Sequence, residues 1–223
     1  MAEQTKLIVS ESVTVSALLD APEPFSAVCV LGHGAGAGMT HDFMERLARE
    51  LTAGGLATLR YNFPYMEAGR SRPDHQSKLL ATVRAALVAG ERVAAGKPLF
   101  AGGKSMGGRM TSLVLAEAEV SPTVRGLVYF GFPLHPAGEP SMKRAEHLAR
   151  IPVPQLFLQG TRDELADLQL IETVTKSLGS KARLEIVAGA DHSFNVLKRS
   201  GRSADEVFGQ LIAATLAFCQ ASS

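Results

Sequence analysis

Leu99-Phe100-Ala101-Gly102-Gly103-Lys104-Ser105-Met106-Gly107-Gly108-Arg109 is the stretch on which the fold turns. An apolar run ends in glycines, a serine follows, more glycines come next, and a helix-like segment opens. Gly103-Lys104-Ser105-Met106-Gly107 has the form G-x-S-x-G, the spacing of a serine held on a tight turn between a strand and a helix. Glycine suits both flanks, because a Cβ there would meet the neighbouring strand and helix. Such a turn holds the serine Oγ clear of the end of a sheet. Glycine and serine are common residues, so the pattern also arises by chance and its surroundings must decide.

Working outward, apolar strand-like runs alternate with helical periodicity. Ala27-Val28-Cys29-Val30-Leu31 is continuously apolar and ends at Gly32, as a strand covered on both faces would be. Further strands are predicted at 56–61, 124–130, 155–158 and 183–187. Helices are predicted at 42–52, at 74–95 with Asp74 as cap, from the serine turn to about Ala118, and up to Leu178. The apolar stripe of the second is Leu79, Leu80, Val83, Leu87 and Val88, and a short helix is expected over 142–149. The last helix opens on Ser203-Ala204-Asp205-Glu206, a capping box, with Val207, Phe208, Leu211, Ile212 and Phe218 as its buried stripe. Lys6-Leu7-Ile8-Val9 and residues 13–19 read as an antiparallel lead-in. The alternation implies an α/β protein: a mostly parallel, twisted sheet with helices on both faces. Its chemistry would lie beyond the C-terminal ends of the strands. With no repeat, low-complexity segment or linker, residues 1–223 are expected to form one domain.

Composition excludes several classes. The chain has 23 basic and 22 acidic residues, a net charge of +1, and no basic block, so neither nucleic acid nor an anionic membrane surface is an expected partner. Met1-Ala2-Glu3-Gln4-Thr5-Lys6 lacks the pattern of a secretory signal, and no apolar run is long enough to span a bilayer. A cytoplasmic location is the expectation. Cys29 and Cys219 make neither a disulfide framework nor a metal cluster and read as reduced thiols. No metal or cofactor is expected, and the sequence carries no sign of the oligomeric state.

A serine hydroxyl needs a base before it can attack a carbonyl at neutral pH. Six histidines are available: His33, His41, His75, His135, His147 and His192. His192 fits best, in the loop after the last predicted strand. An acid should lie between serine and histidine at a strand end, and Asp163, after Gly160, does. Glu164 competes from the same loop, and Asp167 and Asp191 are weaker alternatives, the latter adjacent to His192 and poorly placed to reach its ring. For an oxyanion, the backbone N–H of Met106 and that of Ala35, within His33-Gly34-Ala35-Gly36, are the candidate donors. A rival reading takes Gly32-His33-Gly34-Ala35-Gly36-Ala37 as a dinucleotide fingerprint, with Arg60 meeting a 2′-phosphate. It leaves Ser105, Asp163 and His192 unexplained.

These segments, with Asn62-Phe63-Pro64-Tyr65, Gly131-Phe132-Pro133-Leu134-His135-Pro136, Gly160-Thr161-Arg162-Asp163 and Ala190-Asp191-His192-Ser193-Phe194, span most of the chain. Together they resemble the α/β-hydrolase fold, and more closely the dienelactone-hydrolase-related family of small cytosolic hydrolases. That group also includes a subunit of the animal nonspecific-lethal chromatin complex and a testis-expressed relative. The resemblance implies Ser105 as nucleophile, Asp163 as acid and His192 as base. Dienelactone hydrolases use cysteine as nucleophile, so the serine here weakens transfer of their substrate.

The leading expectation is a serine hydrolase that cleaves small or short-acyl carboxylic esters through a covalent acyl-enzyme. The alternatives are a non-catalytic interaction module of the same fold, or the same triad acting on thioesters, peptides or in acyl transfer. Only about two dozen residues separate Phe130 from the next strand, too few for a large cap domain. An open site is therefore expected, served by loops containing Met39, Tyr65, Phe132, Leu134 and Phe194. Arg70 and Arg72 read either as a carboxylate clamp or as a solvated basic loop. His135, between Pro133 and Pro136, reads either as a pocket residue or as part of a rigid turn.

Overall fold

The computed structural model describes residues 2–117 and 123–222. Its strands are β1 (Glu3–Ser10), β2 (Val13–Asp20), β3 (Ala27–Gly32), β4 (Leu56–Tyr61), β5 (Leu99–Lys104), β6 (Val124–Phe130), β7 (Gln155–Gly160) and β8 (Ala182–Val187). Its helices are α1 (Asp42–Ala53), α2 (Pro64–Glu67), α3 (Gln76–Ala94), α4 (Met106–Leu115), α5 (Leu168–Ser177) and α6 (Ala204–Ala221). The strands form one sheet in the order β1-β2-β4-β3-β5-β6-β7-β8. β1 runs antiparallel to β2, and β2 antiparallel to β4; from β4 to β8 every pair is parallel.

The continuous apolar runs are the inner strands. Every residue of β3, β4 and β7 is buried. Side chains alternate between two cores, as the pleat requires. Val28, Val30, Leu99, Ala101, Leu127, Tyr129 and Phe157 face one way, toward α3, α4 and α5. Cys29, Leu31, Phe100, Val128, Phe130, Leu156 and Leu158 face the other, toward α1 and α6. Burying each of the larger side chains contributes about 1.5–3 kcal/mol. Cys29 and Cys219 are both buried, and burial raises the Cys29 thiol to about 12. No helix among the described residues is long and apolar enough to cross a membrane.

Helix ends explain most departures from expectation. α6 opens on the predicted capping box, with Ser203 accepting from Glu206 N–H and the Glu206 carboxylate accepting from Ser203 N–H. α3 starts one residue late: its cap is His75, whose ring accepts from Ser77 N–H, while Asp74 pairs with Arg70 at 2.8 Å and with Lys78 at 3.7 Å. Val88, one of the apolar positions at helical spacing in α3, is about half exposed. The helix expected over 142–149 is two 3₁₀ turns, Lys143–Ala145 and Leu148–Arg150. Pro152 follows, and the residue before a proline is driven out of the helical region. The end expected for α4, at Ala118, lies outside the described residues. Among the described residues between β6 and β7 only these turns occur, and no large cap domain covers the strand ends.

Candidate active site

β5 and α4 meet at Ser105 through contacts that exclude side chains. A Cβ on Gly103, at φ +146°, would sit 2.1 Å from the Gly32 carbonyl oxygen, and one on Gly107 would sit 2.2 Å from the same atom. Strand and helix therefore both press on the last residue of β3. Ser105 itself has φ +49° and ψ −115°, strained for a residue with a side chain. Its N–H donates to Phe130 O at 3.1 Å, and its carbonyl accepts from Arg109 N–H at 3.1 Å.

The loop after β8 carries His192. Asp191 folds that loop: its Oδ1 accepts from Ser193 N–H and Asn195 N–H, both at 2.9 Å. His192 Nε2 lies 2.8 Å from Ser105 Oγ, and Nδ1 lies 2.7 Å from Asp163 Oδ2. The Asp163 side chain is fully buried, whereas that of His192 is 24% exposed. Asp163 Oδ1 accepts from Leu165 N–H at 2.8 Å and Oδ2 accepts from Gln159 Nε2 at 2.5 Å. Gln159 in turn accepts from Phe132 N–H at 3.1 Å. A buried, hydrogen-bonded carboxylate against Nδ1 fixes the tautomer that leaves Nε2 able to accept the serine proton.

The glycine loop after β3 faces this group. Gly34 and Ala35 line a cleft of about 290 Å³ together with Ser105, Phe43, Met44 and Leu165. His33 is buried beneath the loop. Its Nε2 accepts from Phe63 N–H at 3.0 Å, so Nδ1 holds the proton and donates to Gly34 O at 2.8 Å. Burial pulls its pKa down to about 4, so the ring is neutral at physiological pH. Lys104 also borders the cleft, and its Nζ donates to the main-chain oxygen of His192 at 2.6 Å.

Residues 25–220 match the family described as an alpha/beta hydrolase domain. The chain belongs to the α/β-hydrolase family. Among solved structures of this fold, an alpha-beta serine hydrolase homologue from Coxiella burnetii is 20% identical, with a TM-score of 0.74 over 95% of this chain and 96% of that one. A dienelactone hydrolase from Anabaena variabilis is 21% identical, with a TM-score of 0.73 over 100% of this chain and 96% of that one. At such identities the likeness is one of fold. A protein of Mycobacterium tuberculosis named as a candidate phosphoribosyl transferase is 28% identical over 192 residues, 84% of this chain but 41% of its own length. This chain thus spans about two fifths of that relative.

Within this α/β-hydrolase site, Ser105, Asp163 and His192 come together in hydrogen-bond contact, with Ala35 in the cleft wall and Met106 opening α4. The other acids face away from the His192 ring or serve elsewhere. Glu164 is exposed, Asp167 caps α5 by accepting from Leu170 N–H, and Asp191 holds its own loop. Two of the loops expected to serve the site border the cleft, that of Met39 through Gly34, Ala35, Ala37 and His41 and that of Phe194 through His192 and Ser193. Met39, Tyr65, Phe132, Leu134 and Phe194 are themselves buried; the larger apolar side chains of the wall are Phe43 and Met44, from the first turn of α1, and Leu165. Arg70 pairs with Asp74, and neither it nor Arg72 borders the cleft. His135 is a turn fastener: its Nε2 accepts from Asp167 N–H at 2.7 Å and its Nδ1 donates to Pro136 O. The nucleotide reading loses its cation, because Arg60 is buried, donating to Asp20 at 3.1 Å and to Met39 O at 3.0 Å. Gln159 and Lys104 escaped sequence reading. The available signal was a polar residue at the end of an apolar strand, and a lysine inside the serine motif.

Proposed function

We propose that this chain is a serine hydrolase of small carboxylic esters. The hydrogen-bonded series Ser105, His192 and Asp163, with the carboxylate buried and the serine on a strained turn, is the observation that carries this reading. His192 Nε2 takes the Ser105 proton as Oγ attacks the ester carbonyl carbon. The tetrahedral oxyanion accepts hydrogen bonds from the N–H groups of Met106 and Ala35. As the intermediate collapses, the bond to the leaving oxygen breaks and the imidazolium gives that oxygen its proton. Water, deprotonated by the same imidazole, then attacks the acyl-enzyme and releases the acid. Asp163 holds the ring and stabilises its charged form throughout. The small cleft, with apolar walls from Phe43, Met44 and Leu165, favours a short acyl group.

The test is labelling with a fluorophosphonate and turnover of p-nitrophenyl acetate. Wild type should be labelled stoichiometrically and should hydrolyse the ester. Ser105→Ala should lose both while keeping its circular dichroism. Activity that survives the substitution, or a folded wild type that neither labels nor turns over, would overturn the assignment. The second outcome would favour an interaction module.

A further inference from the structure

Lys104 fills the first variable position of G-x-S-x-G, where the motif makes no demand. It ends β5 and is joined by its peptide bond to Ser105. A lysine at such a position ordinarily runs to solvent. This one folds back under the histidine loop. Its Nζ donates to His192 O at 2.6 Å and lies 5.5 Å from the Phe194 ring centroid and 5.9 Å from that of Phe43. The turn after β6 closes on it as well: a Cβ on Gly131 would sit 3.2 Å from the same Nζ.

Two hydrogen bonds therefore connect the same two short segments. Ser105 Oγ meets the His192 ring at 2.8 Å, and Lys104 Nζ meets the His192 main chain at 2.6 Å. Because Lys104 and Ser105 are chain neighbours, the two bonds close a ring through a single residue of the loop. The bonds that Asp191 makes set the shape of this loop, and Arg162 N–H, donating to Ala190 O at 2.8 Å, ties its base to the segment after β7. The lysine ties its tip to β5.

We propose that Lys104 is a positioning residue, whose bond to the His192 carbonyl holds the imidazole at hydrogen-bond distance from Ser105. The proposal rests on His192 acting as the base. Proton transfer is steep in donor–acceptor geometry, and misplacement by about 1 Å costs on the order of 100-fold.

The strap has a pH signature. Burial pulls the Lys104 ammonium down to about 8, with Asp163 and Asp191 opposing the shift. Its other neighbours are His192 itself and, on the rim of the cleft, His41; α1 contributes Phe43 and the turn after β6 Gly131. The ammonium is the stronger donor, so the bond weakens as pH rises through about 8. A guanidinium in its place stays charged.

The experiment compares wild type, Lys104→Met, Lys104→Gln and Lys104→Arg. It uses p-nitrophenyl acetate kinetics from about pH 6 to about pH 9.5, and proton NMR of the downfield His192 Nδ1–H that faces Asp163. Lys104→Met should lower kcat on the order of 10–100-fold, with KM changed less than about threefold. Lys104→Gln, a neutral donor, should fall between. Lys104→Arg should regain most of the rate and lose the decline that wild type shows above about pH 8. The downfield signal should broaden in the Met variant and return in the Arg variant. A Lys104→Met kcat within about twofold of wild type, a change confined to KM, or an unaltered downfield signal would each overturn the proposal. If wild type turns over no ester, the proposed function fails and the NMR comparison alone decides the strap.

Discussion

Gln159 and Asp163 share a buried hydrogen bond of 2.5 Å, in which the amide Nε2 donates to the same carboxylate oxygen that faces His192 Nδ1. The opposite end of that amide accepts from Phe132 N–H. One side chain thus locks the carboxylate and the turn after β6 together. Gln159→Leu should lower kcat roughly tenfold, because Asp163 loses a fixed donor. It should also cost about 1–3 kcal/mol of stability, because Phe132 N–H is left buried without its partner. Kinetics and urea unfolding on one preparation check both.

Asp163 and Glu164 are neighbours in sequence and opposites in environment, one fully buried at the side chain and the other exposed. Asp163→Asn should lower kcat on the order of 10³–10⁴-fold, since an amide facing Nδ1 favours the wrong tautomer. Glu164→Gln should leave kcat within about twofold. Loss of rate in the Glu164 variant alone would reassign the acid.

The strained φ of +49° at Ser105 implies a trade between activity and stability. Ser105→Gly relieves the backbone, because glycine adopts positive φ freely. It should be inactive yet about 1 kcal/mol more stable than Ser105→Ala, which keeps the strain. Thermal unfolding of the two variants side by side measures the difference.

His33 and His147 both have pKa values lowered to about 4; burial is the main cause, and Arg109 and Arg150 add repulsion at His147. Released on unfolding, each returns toward about 6.5 and takes up a proton that the folded state refuses. Their neutral-state stability is complete above about pH 6.5 and is lost as pH falls toward about 4. The unfolding free energy should therefore decline with falling pH in that window. His33→Gln should reduce the slope there by about one proton, as read from urea midpoints across pH.

Much of this was legible in the chain because the physics is local. A run such as Ala27 to Leu31 has no polar face, so it must be covered twice, and β3 is. Gly103 and Gly107 announce a close approach, and the structure supplies its object, the Gly32 carbonyl. Ser105, Asp163 and His192 each follow a strand end, so topology alone brings them to one edge. The cleft wall was not legible, because the direction of Phe43 and Met44 depends on how α1 seats on the sheet, which no local pattern encodes. Large apolar loop residues such as Tyr65 and Phe132 looked suited to substrate and proved more valuable as filling. Asp74 is a common cap residue, but an ion pair with Arg70 claimed it and left the cap to His75.

The Gly32 carbonyl, touched by both β5 and α4, has a bearing on how this member of the α/β-hydrolase family could diversify. Main chain, not side chains, sets the place of Ser105, so that place is insulated from most single substitutions. The walls at Phe43 and Met44, on the first turn of α1, and at Leu165, in the loop after β7, are side chains on segments other than those that fix Ser105. Reactivity and taste are thus inherited through different parts of the molecule. A library randomised at those three positions should change which acyl chains are accepted while the nucleophile stays where it is.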